Sequence, residues 1–245
     1  MENIDLDIDG ETATITITNP ELRNALTLET AKEITEAVER VEESDARCLV
    51  LQGSEGNFCA GGDIKSMLEN LSTDQDIEEL IEESALPVNR SIQHVYECSV
   101  PTVAKLDGPA FGAGATLALA CDVVLASERA EMSFGFRRIG LSVDSGTSYL
   151  LPRAVGQKKA MDLVYTGELL DADQAEELGL VSRVLPADEF DEQSQEIIET
   201  VATGPTIALK HSKDLLQHVG NRTFDEVIDA EADGLRACFQ SEDFE

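Results

Sequence analysis

Two segments of small residues carry the groups best suited to hold a negatively charged oxygen. The first is residues 58–64, Phe-Cys-Ala-Gly-Gly-Asp-Ile, and the second is residues 108–116, Gly-Pro-Ala-Phe-Gly-Ala-Gly-Ala-Thr. Each follows an apolar, strand-like stretch and precedes helical periodicity, where free N–H groups and the helix dipole favour negative charge. One N–H from each segment, aimed at one carbonyl oxygen, would form an oxyanion hole that stabilises an enolate, worth roughly 3 to 4 kcal/mol per donor at the upper end.

Two different roles are also open to the glycines of these segments. Gly112 and Gly114, after a strand and before a helix, match the start of a dinucleotide-binding fingerprint. Leu117 stands where the third glycine of that fingerprint belongs, which argues against a nucleotide fold. Close packing of helices would also favour glycine, but it does not account for the first segment.

Strand and helix patterns alternate through the first two thirds of the chain. Residues 11–18 alternate threonine with apolar residues, the period of a half-buried strand. Residues 28–41 form an amphipathic pattern that Thr27 is placed to cap, and they predict a helix. The other predictions are strands at residues 48–51, 101–106 and 123–126, a helical stretch over residues 74–98 interrupted at Pro87, a buried helix over residues 117–120, a loop at residues 140–146, and only helices after about residue 155. This order predicts an α/β fold with a helical end.

The chain is strongly acidic along its whole length. It has 245 residues, with 18 basic against 49 acidic side chains and a net charge of −31, and is long enough for one large domain with a substantial core. This charge argues against nucleic-acid binding. It predicts a protein kept hydrated in concentrated salt, where repulsion between carboxylates is screened within about 3 Å at 1 M. A dedicated basic partner is the alternative.

The cysteines, histidines and apolar runs argue against a metal site or a membrane span. No pair among the five cysteines has zinc-ligand spacing, and the three histidines do not cluster with them. Cysteines in apolar runs predict reduced thiols, and the acidic start is unlike a signal peptide, so we expect a cytoplasmic location. The longest apolar stretch, residues 110–126, is interrupted by Asp122 and is rich in glycine.

An ordered set of motifs along nearly the whole chain resembles the crotonase superfamily of enoyl-CoA hydratases and isomerases. The motifs are residues 24–27 (Asn-Ala-Leu-Thr), 58–64, 108–122, 139–141 (Ile-Gly-Leu), 166–175 (from Thr-Gly through Ala175) and 179–181 (Gly-Leu-Val). The resemblance implies an α/β crotonase (ClpP-like) fold, with a core of repeated ββα turns over residues 1–190 and a C-terminal helical trimerisation region over residues 191–245. It also implies a homotrimer or a dimer of trimers.

The substrate that the resemblance implies is a coenzyme A thioester, so coenzyme A belongs to the substrate and no separate cofactor is expected. The N–H groups of Gly62 and Ala113 would hold the thioester oxygen. The other positions implied to contact substrate or coenzyme A are Arg23, Ala25, Ala60, Asp63, Ile64, Lys65, Thr116 and Phe136. Family chains also continue past the equivalent of Glu245 into a short helix over the acyl chain, so a shortened helical region or a more open pocket is expected.

The reaction depends on which carboxylates are present. The two glutamates of the family's hydratases fall at Thr116 and Phe136 here, and neither is acidic. Asp144 falls where the ring-forming phenylacetyl-CoA isomerases and the dienoyl-CoA isomerases place a catalytic aspartate, and residues 112–122 are also similar to the phenylacetyl-CoA type. One carboxylate suffices for an isomerase, because it can remove a proton beside the thioester and return it elsewhere. We therefore expect an isomerase, with the pKa of Asp144 raised by an apolar pocket.

Several of these residues have alternative roles. Asp144 would also suit a loop or the N-cap of the following helix, and an N-cap role is favoured for Asp63. A buried threonine such as Thr116 more commonly bonds its own helix. Arg137 and Arg138 either rim the acyl pocket or pair with the abundant acids.

Other functions also remain open. Ser142 or Ser145 as a nucleophile lacks the G-x-S-x-G elbow, and His94 fits a helix-face residue better than a base. Within enzymes, the alternative is a 2-enoyl-CoA hydratase of fatty-acid β-oxidation. Outside enzymes, it is a catalytically idle binding protein with the crotonase fold.

Overall fold

The computed structural model describes residues 1–71 and 76–244, without the side chains of residues 70 and 71. Its strands are β1 (Ile4–Asp9), β2 (Thr12–Ile17), β3 (Cys48–Gly53), β4 (Thr102–Leu106), β5 (Ala110–Phe111), β6 (Val123–Ser127), β7 (Glu131–Ser133), β8 (Leu170–Asp171) and β9 (Arg183–Leu185). Its α-helices are α1 (Leu28–Glu42), α2 (Ile64–Leu71), α3 (Ile77–Leu80), α4 (Leu86–Glu97), α5 (Ala113–Leu119), α6 (Thr147–Thr166), α7 (Ala172–Glu177), α8 (Phe190–Ala202), α9 (Thr206–His218) and α10 (Phe224–Phe239).

A six-stranded sheet in the order β1-β2-β3-β4-β6-β9 forms the main layer. β1 runs antiparallel to β2, and the later pairs of this sheet are parallel. A smaller sheet, β5-β7-β8, combines one parallel and one antiparallel pair. β3 and β4 are apolar and largely buried, as expected for parallel strands that are covered on both faces. The arrangement confirms the predicted α/β class.

The first hairpin contains one strand that the sequence pattern predicts and one that it does not. Along β2, Ala13, Ile15 and Ile17 are fully buried and the threonines between them are half-buried, which confirms the predicted period of two. β1 is the edge strand of the sheet and is mostly exposed, so its acidic residues hide the strand signal. Gly10, with φ of 57°, makes the turn between the two strands.

α1 begins at the residue that the sequence predicts. Thr27 Oγ1 accepts a hydrogen bond from the Thr30 N–H at 3.1 Å, which satisfies one of the free donors of the first turn. The apolar stripe of the helix is buried, with Ile34, Ala37 and Val41 fully inaccessible. This burial fixes the helix to the core and therefore fixes the loop that precedes it.

The helical stretch predicted over residues 74–98 is present from residue 77, and residues 74 and 75 lie outside the described residues. It consists of α3, a π-helical turn (Ile81–Ala85) and α4. Pro87 lies directly after the π turn, in a run whose backbone stays right-handed helical at Ala85 and Leu86. The predicted interruption at Pro87 is therefore a change from π to α winding within one helical run.

The prediction of helices alone after residue 155 is wrong. Two short strands, β8 and β9, interrupt the helices, and β9 pairs with β6 at the edge of the large sheet. They have two and three residues, too few to show a strand period in the sequence. Their conformation is set by the strands beside them.

The last helices differ in how they pack. α8 covers the large sheet, where Phe190, Ile198 and Ala202 join a buried cluster with sheet residues such as Val50 and Leu125. α8 begins at Phe190 and therefore crosses the predicted boundary between residues 190 and 191, and its buried residues belong to the core. α9 and α10 pack on each other, and they and the turn between them expose several large apolar side chains, namely Leu216, Val219, Phe224, Ile228, Leu235 and Phe239.

The two glycine-bearing segments cross at backbone distance. The Phe111 N–H donates to the Cys59 carbonyl at 2.9 Å, and the Cys59 N–H donates to the Pro109 carbonyl at 3.1 Å. Gly114 lies so close that a Cβ there would be 2.2 Å from the Cys59 carbonyl oxygen. A residue with a side chain does not fit at this position, so glycine is what allows the crossing.

Gly114→Ala is expected to lower the free energy of unfolding by about 1 to 3 kcal/mol, because backbone rather than a flexible side chain has to move. The measurement is a urea titration at fixed salt. Gly220→Ala is the matched control, since its added Cβ meets nothing within 4 Å, and its effect should stay within about 0.5 kcal/mol. Equal effects from both variants would contradict the close crossing.

Candidate active site

A cavity of about 330 Å³ lies where the two segments cross. Gly62 from the first segment, Ala113 from the second, and Asp144 from the loop before α6 all line it. These are the three residues that the sequence analysis assigns to catalysis. The fold therefore brings two backbone donors and one carboxylate to the same space.

The N–H groups of Gly62 and Ala113 are the candidate donors of the site. Within residues 1–71 and 76–244, neither N–H donates a hydrogen bond to a backbone carbonyl outside the regular elements. Gly112, at φ 52° and ψ −120°, sets the direction of the peptide that carries the Ala113 N–H, and this conformation favours glycine. The Gly112 N–H donates to the Ser133 carbonyl at 2.8 Å, so the small sheet holds this peptide in place.

The first segment is held from both sides. A Cβ on Gly61, whose φ is 96°, would lie 2.7 Å from the Phe111 carbonyl oxygen, so this residue also lies against the second segment. On the other side, the Leu26 N–H donates to the Gly61 carbonyl at 2.7 Å, and the Ala60 N–H donates to the Arg23 carbonyl at 3.1 Å. The loop before α1 therefore lies directly beside the residues that lead to the Gly62 donor.

Asp144 is the carboxylate that lines this cavity among the described residues. Burial raises its pKa above the ordinary value, while hydrogen bonds from the Ser145 hydroxyl and from its own N–H partly offset the rise. The Ser145 Oγ to Asp144 Oδ1 distance is 2.8 Å. A raised pKa brings the carboxyl group closer to the range in which it can both accept and return a proton.

The rest of the lining is largely apolar and suits an acyl group. The residues are Ile64, Met67, Val88, Phe111, Phe136, Ile139, Leu141 and Leu169, with Ala60 beside them. Arg138 is the other charged residue of the described lining, and its Nη2 donates to the Gly167 carbonyl at 2.6 Å. Arg137 donates to the Thr166 carbonyl at 3.2 Å. Both arginines thus bind main-chain oxygens.

Thr116 lies outside the cavity, although the resemblance implied contact with substrate. It is fully buried. Its hydroxyl lies 3.2 Å from the Gly112 carbonyl and 2.6 Å from the Thr147 hydroxyl. The Thr147 N–H in turn donates to the Asp144 carbonyl at 2.8 Å. Thr116 therefore bonds its own helix and fixes the start of α6, next to the loop that carries Asp144.

Four other predicted contact residues lie beside the cavity and do not line it in the described part of the chain. Asp63 caps α2, with its Oδ1 accepting from the Ser66 N–H at 3.1 Å, which is the role that the sequence favoured. Arg23 and Lys65 are exposed, and Ala25 is buried.

Sequence reasoning missed the partners of Asp144. Asn89 lines the cavity from α4, and its side-chain oxygen lies 3.1 Å from Ser145 Oγ. A polar residue on a helix shows no sign in the sequence of what it will face. The sequence pattern raises Ser145 only as a nucleophile, and its positive φ of 57° is a property of the folded chain.

The buried thiols do not supply a nucleophile. Burial raises the pKa of both Cys48 and Cys59 to about 12, which keeps these thiols neutral near pH 7. Within the described ranges, no three His, Cys, Asp or Glu side chains are grouped so that they could hold a metal ion. In the same ranges, no helix has the length and apolar character needed to cross a membrane.

A family model described as enoyl-CoA hydratase/isomerase matches residues 7–245 of this chain. The chain belongs to the enoyl-CoA hydratase/isomerase family. This confirms the resemblance to the crotonase superfamily, whose enzymes act on coenzyme A thioesters. The placement of Gly62 and Ala113 on one cavity is in keeping with that substrate.

Relatives within this family carry different activities. The chain is 32% identical over 246 residues to 1,2-epoxyphenylacetyl-CoA isomerase of Escherichia coli (strain K12), covering 100% of this chain and 93% of that one. It is 31% identical to 4-chlorobenzoyl coenzyme A dehalogenase-2 of an Arthrobacter species, covering 92% and 81%. The crystal structure of an enoyl-CoA hydratase from Bacillus anthracis superposes with a TM-score of 0.90 at 26% identity, covering 98% of this chain and 92% of that one. These likenesses confirm the crotonase fold, and the relatives' names differ in the reaction that they give.

Asp144→Asn is expected to raise the melting temperature at neutral pH. Because the pKa of Asp144 is raised in the folded state, its ionisation destabilises the fold, fully so above the folded-state pKa. An amide of the same shape removes this effect. The gain should shrink as the pH falls towards the ordinary pKa of an aspartate, where the carboxyl group is protonated in both states.

Asp45→Asn is the matched control, because it also removes one negative charge but from an exposed position. The comparison is made by thermal unfolding over a series of pH values at constant ionic strength. If Asp144→Asn stabilises no more than Asp45→Asn, or if its gain is independent of pH, burial of the Asp144 carboxylate is not the cause.

Proposed function

We propose that this protein is an enoyl-CoA isomerase that shifts a double bond in the acyl group of a coenzyme A thioester. The observation that carries the proposal is one apolar cavity lined by Gly62, Ala113 and, among the residues that the structure describes, a single carboxylate, Asp144. Addition of water by two carboxylates would require a second acid, and Phe136 and Thr116 stand at the positions implied for the two glutamates. One of these two residues is apolar, and the other is buried outside the cavity. These residues therefore favour proton transfer by one carboxylate over addition of water by two.

In the proposed reaction, the thioester oxygen accepts hydrogen bonds from the N–H groups of Gly62 and Ala113. Ionised Asp144 removes a proton from the α-carbon of a 3-enoyl thioester, and the electron pair of that C–H bond moves towards the carbonyl. The resulting dienolate carries its charge on the oxygen that the two N–H groups hold. Protonated Asp144 then gives the proton to the γ-carbon, which restores both the carbonyl and the carboxylate. The product is the 2-enoyl isomer, and the atoms balance without added water.

The coenzyme A part is proposed to lie along residues 23–25 and 60–65. These two stretches are joined by the hydrogen bond from the Ala60 N–H to the Arg23 carbonyl. Lys65 is exposed at the end of this surface and supplies a positive charge for a phosphate. In this proposal coenzyme A belongs to the substrate, and the protein needs no separate cofactor.

We also propose that the protein assembles as a homotrimer or a dimer of trimers in the cytoplasm. Apolar side chains on α9 and α10, such as Leu216, Phe224 and Phe239, are well exposed in the single chain. An apolar surface of this kind marks an interaction site. It supports the helical trimerisation region that the sequence predicted.

The protein is expected to convert a trans-3-enoyl-CoA to its 2-enoyl isomer without a change in mass. Asp144→Asn should lower kcat by about 10²- to 10⁴-fold, the usual contribution of general acid–base catalysis, with little change in KM. Turnover is followed by absorbance of the conjugated thioester and by mass spectrometry of the product. Straight-chain and ring-bearing acyl groups are both tested, since one relative is named as an epoxyphenylacetyl-CoA isomerase.

Asp45→Asn, which changes an exposed carboxylate, should leave kcat within about twofold of wild type. Gain of one water on a trans-2-enoyl-CoA would identify a hydratase instead. Binding of thioesters without turnover would favour a catalytically idle binding protein. Unchanged turnover in Asp144→Asn would rule out the aspartate as the proton carrier, whatever the reaction.

We propose that the acidic surface adapts the protein to concentrated salt, so its melting temperature should rise with potassium chloride. With 49 acidic and 18 basic residues, repulsion between carboxylates opposes folding. Screening shortens the range of this repulsion from about 10 Å at 0.1 M salt to about 3 Å at 1 M. Thermal unfolding across this range measures the effect. A melting temperature that stays level or falls would contradict the proposal.

A further inference from the structure

The loop that carries Asp144 holds a serine in a backbone conformation that suits glycine. Ser145 has φ of 57°, and Gly146 after it has φ of 81°. A non-glycine residue in the left-handed region is uncommon and costs free energy, so it persists where the surroundings compensate. Ser145 is 2% exposed. Glycine would meet the needs of this turn at lower cost, so the contacts of the serine side chain are what distinguish this residue.

The Ser145 hydroxyl lies between two side chains. Its Oγ is 2.8 Å from Asp144 Oδ1 and 3.1 Å from Asn89 Oδ1. Ser145 and Asn89 line both the 330 Å³ cavity and a second cavity of about 820 Å³ between α4, α6 and α9. Ser145 and Asn89 therefore lie between the two cavities, next to Asp144, and Asn89 belongs to α4.

The single hydroxyl proton decides how these contacts are shared. A hydroxyl donates one hydrogen bond at a time, and an ionised carboxylate can only accept. When Asp144 is ionised, Ser145 must therefore donate to Oδ1, and the Asn89 amide turns its NH₂ group to the Ser145 oxygen. An amide side chain can do this because its two ends have nearly the same shape.

We propose that Ser145, supported by Asn89, is a positioning residue for Asp144. It binds Oδ1 and leaves Oδ2 as the oxygen that takes the substrate proton and returns it. This inference rests on the proposed role of Asp144 as the proton carrier. It goes beyond that role by assigning the two carboxylate oxygens different tasks and by giving α4 a part in the reaction.

Few charged groups line the smaller cavity, in which Asp144 lies beside Ser145 and Asn89. In the described lining of the smaller cavity, Arg138 is the charged neighbour of Asp144, and it is bound to the Gly167 carbonyl. The larger cavity, behind Ser145, carries Arg90 and Glu97 from α4 and Lys210, His211, Lys213, Asp214 and His218 from α9. Burial raises the pKa of Asp144, and its hydrogen bonds partly offset the rise.

The test measures kcat/KM of the 245-residue protein against pH for Ser145→Ala and Ser145→Gly. The acid limb is the part of the kcat/KM profile in which activity falls as Asp144 becomes protonated. Both variants lose the hydroxyl that donates a charge-assisted hydrogen bond to the ionised carboxylate, so this limb should move to higher pH by about one unit. Only glycine relaxes the backbone, so Ser145→Gly should melt at a higher temperature than Ser145→Ala. Asn89→Leu should move the limb in the same direction by less. Ser142→Ala removes an exposed hydroxyl from the same loop and should leave the limb in place.

The outcomes separate this inference from the proposed function. If both Ser145 variants keep the wild-type limb, or if Ser145→Gly behaves like wild type while Ser145→Ala does not, the hydroxyl has no positioning role. If the acid limb of Asn89→Leu stays at the wild-type pH, Asn89 does not support Ser145. If Asp144→Asn retains turnover, the proposed mechanism itself fails. If Asp144→Asn is inactive and the acid limbs of both Ser145 variants stay at the wild-type pH, only the positioning role is overturned.

Discussion

The close approach of two backbone segments is the constraint on which the site depends. Gly61 lies against Phe111, and Gly114 lies against Cys59, at distances that leave no room for a Cβ. Because the contact is between main chains, it fixes the direction of peptide N–H groups more rigidly than a contact between side chains would. The large sheet, the small sheet and the loop before α1 each hold one part of this crossing. As a result, Gly62 and Ala113 line one cavity.

The carboxylate is placed at some cost to the stability of the fold. Burial disfavours the charged form of Asp144, and the next residue, Ser145, occupies the left-handed region. Strain and unfavourable charge gathered at one loop are typical of a site shaped for chemistry. The surrounding packing tolerates them because Thr147, the first residue of α6, is buried and bonded both to Asp144 and to Thr116. Residues that do not touch the cavity thus maintain the geometry inside it.

Membership of the enoyl-CoA hydratase/isomerase family and choice of reaction arise at different levels. The backbone crossing belongs to the fold and serves any reaction that passes through a thioester enolate. The reaction is a matter of side chains, and in the proposed isomerase the residues that decide it are Thr116, Phe136 and Asp144. The acidic surface is a third and separate matter, since nearly all of the excess charge lies outside the cavity.

The sequence alone determined the α/β class, the two glycine-bearing segments and the cap of α1, which follow from local periodicity and residue type. The candidate aspartate came from the resemblance to the crotonase superfamily, because its place in the chain alone also suits a loop or an N-cap. The two-residue strand β8, the packing of α8 on the sheet and the exclusion of Thr116 from the cavity were decided by tertiary structure, because each depends on neighbours distant in the chain. The same holds for the contact of Asn89 with Ser145, which joins α4 to the loop before α6. Local sequence carries the conformation of a segment, whereas the partner of a side chain exists only once the segments have packed.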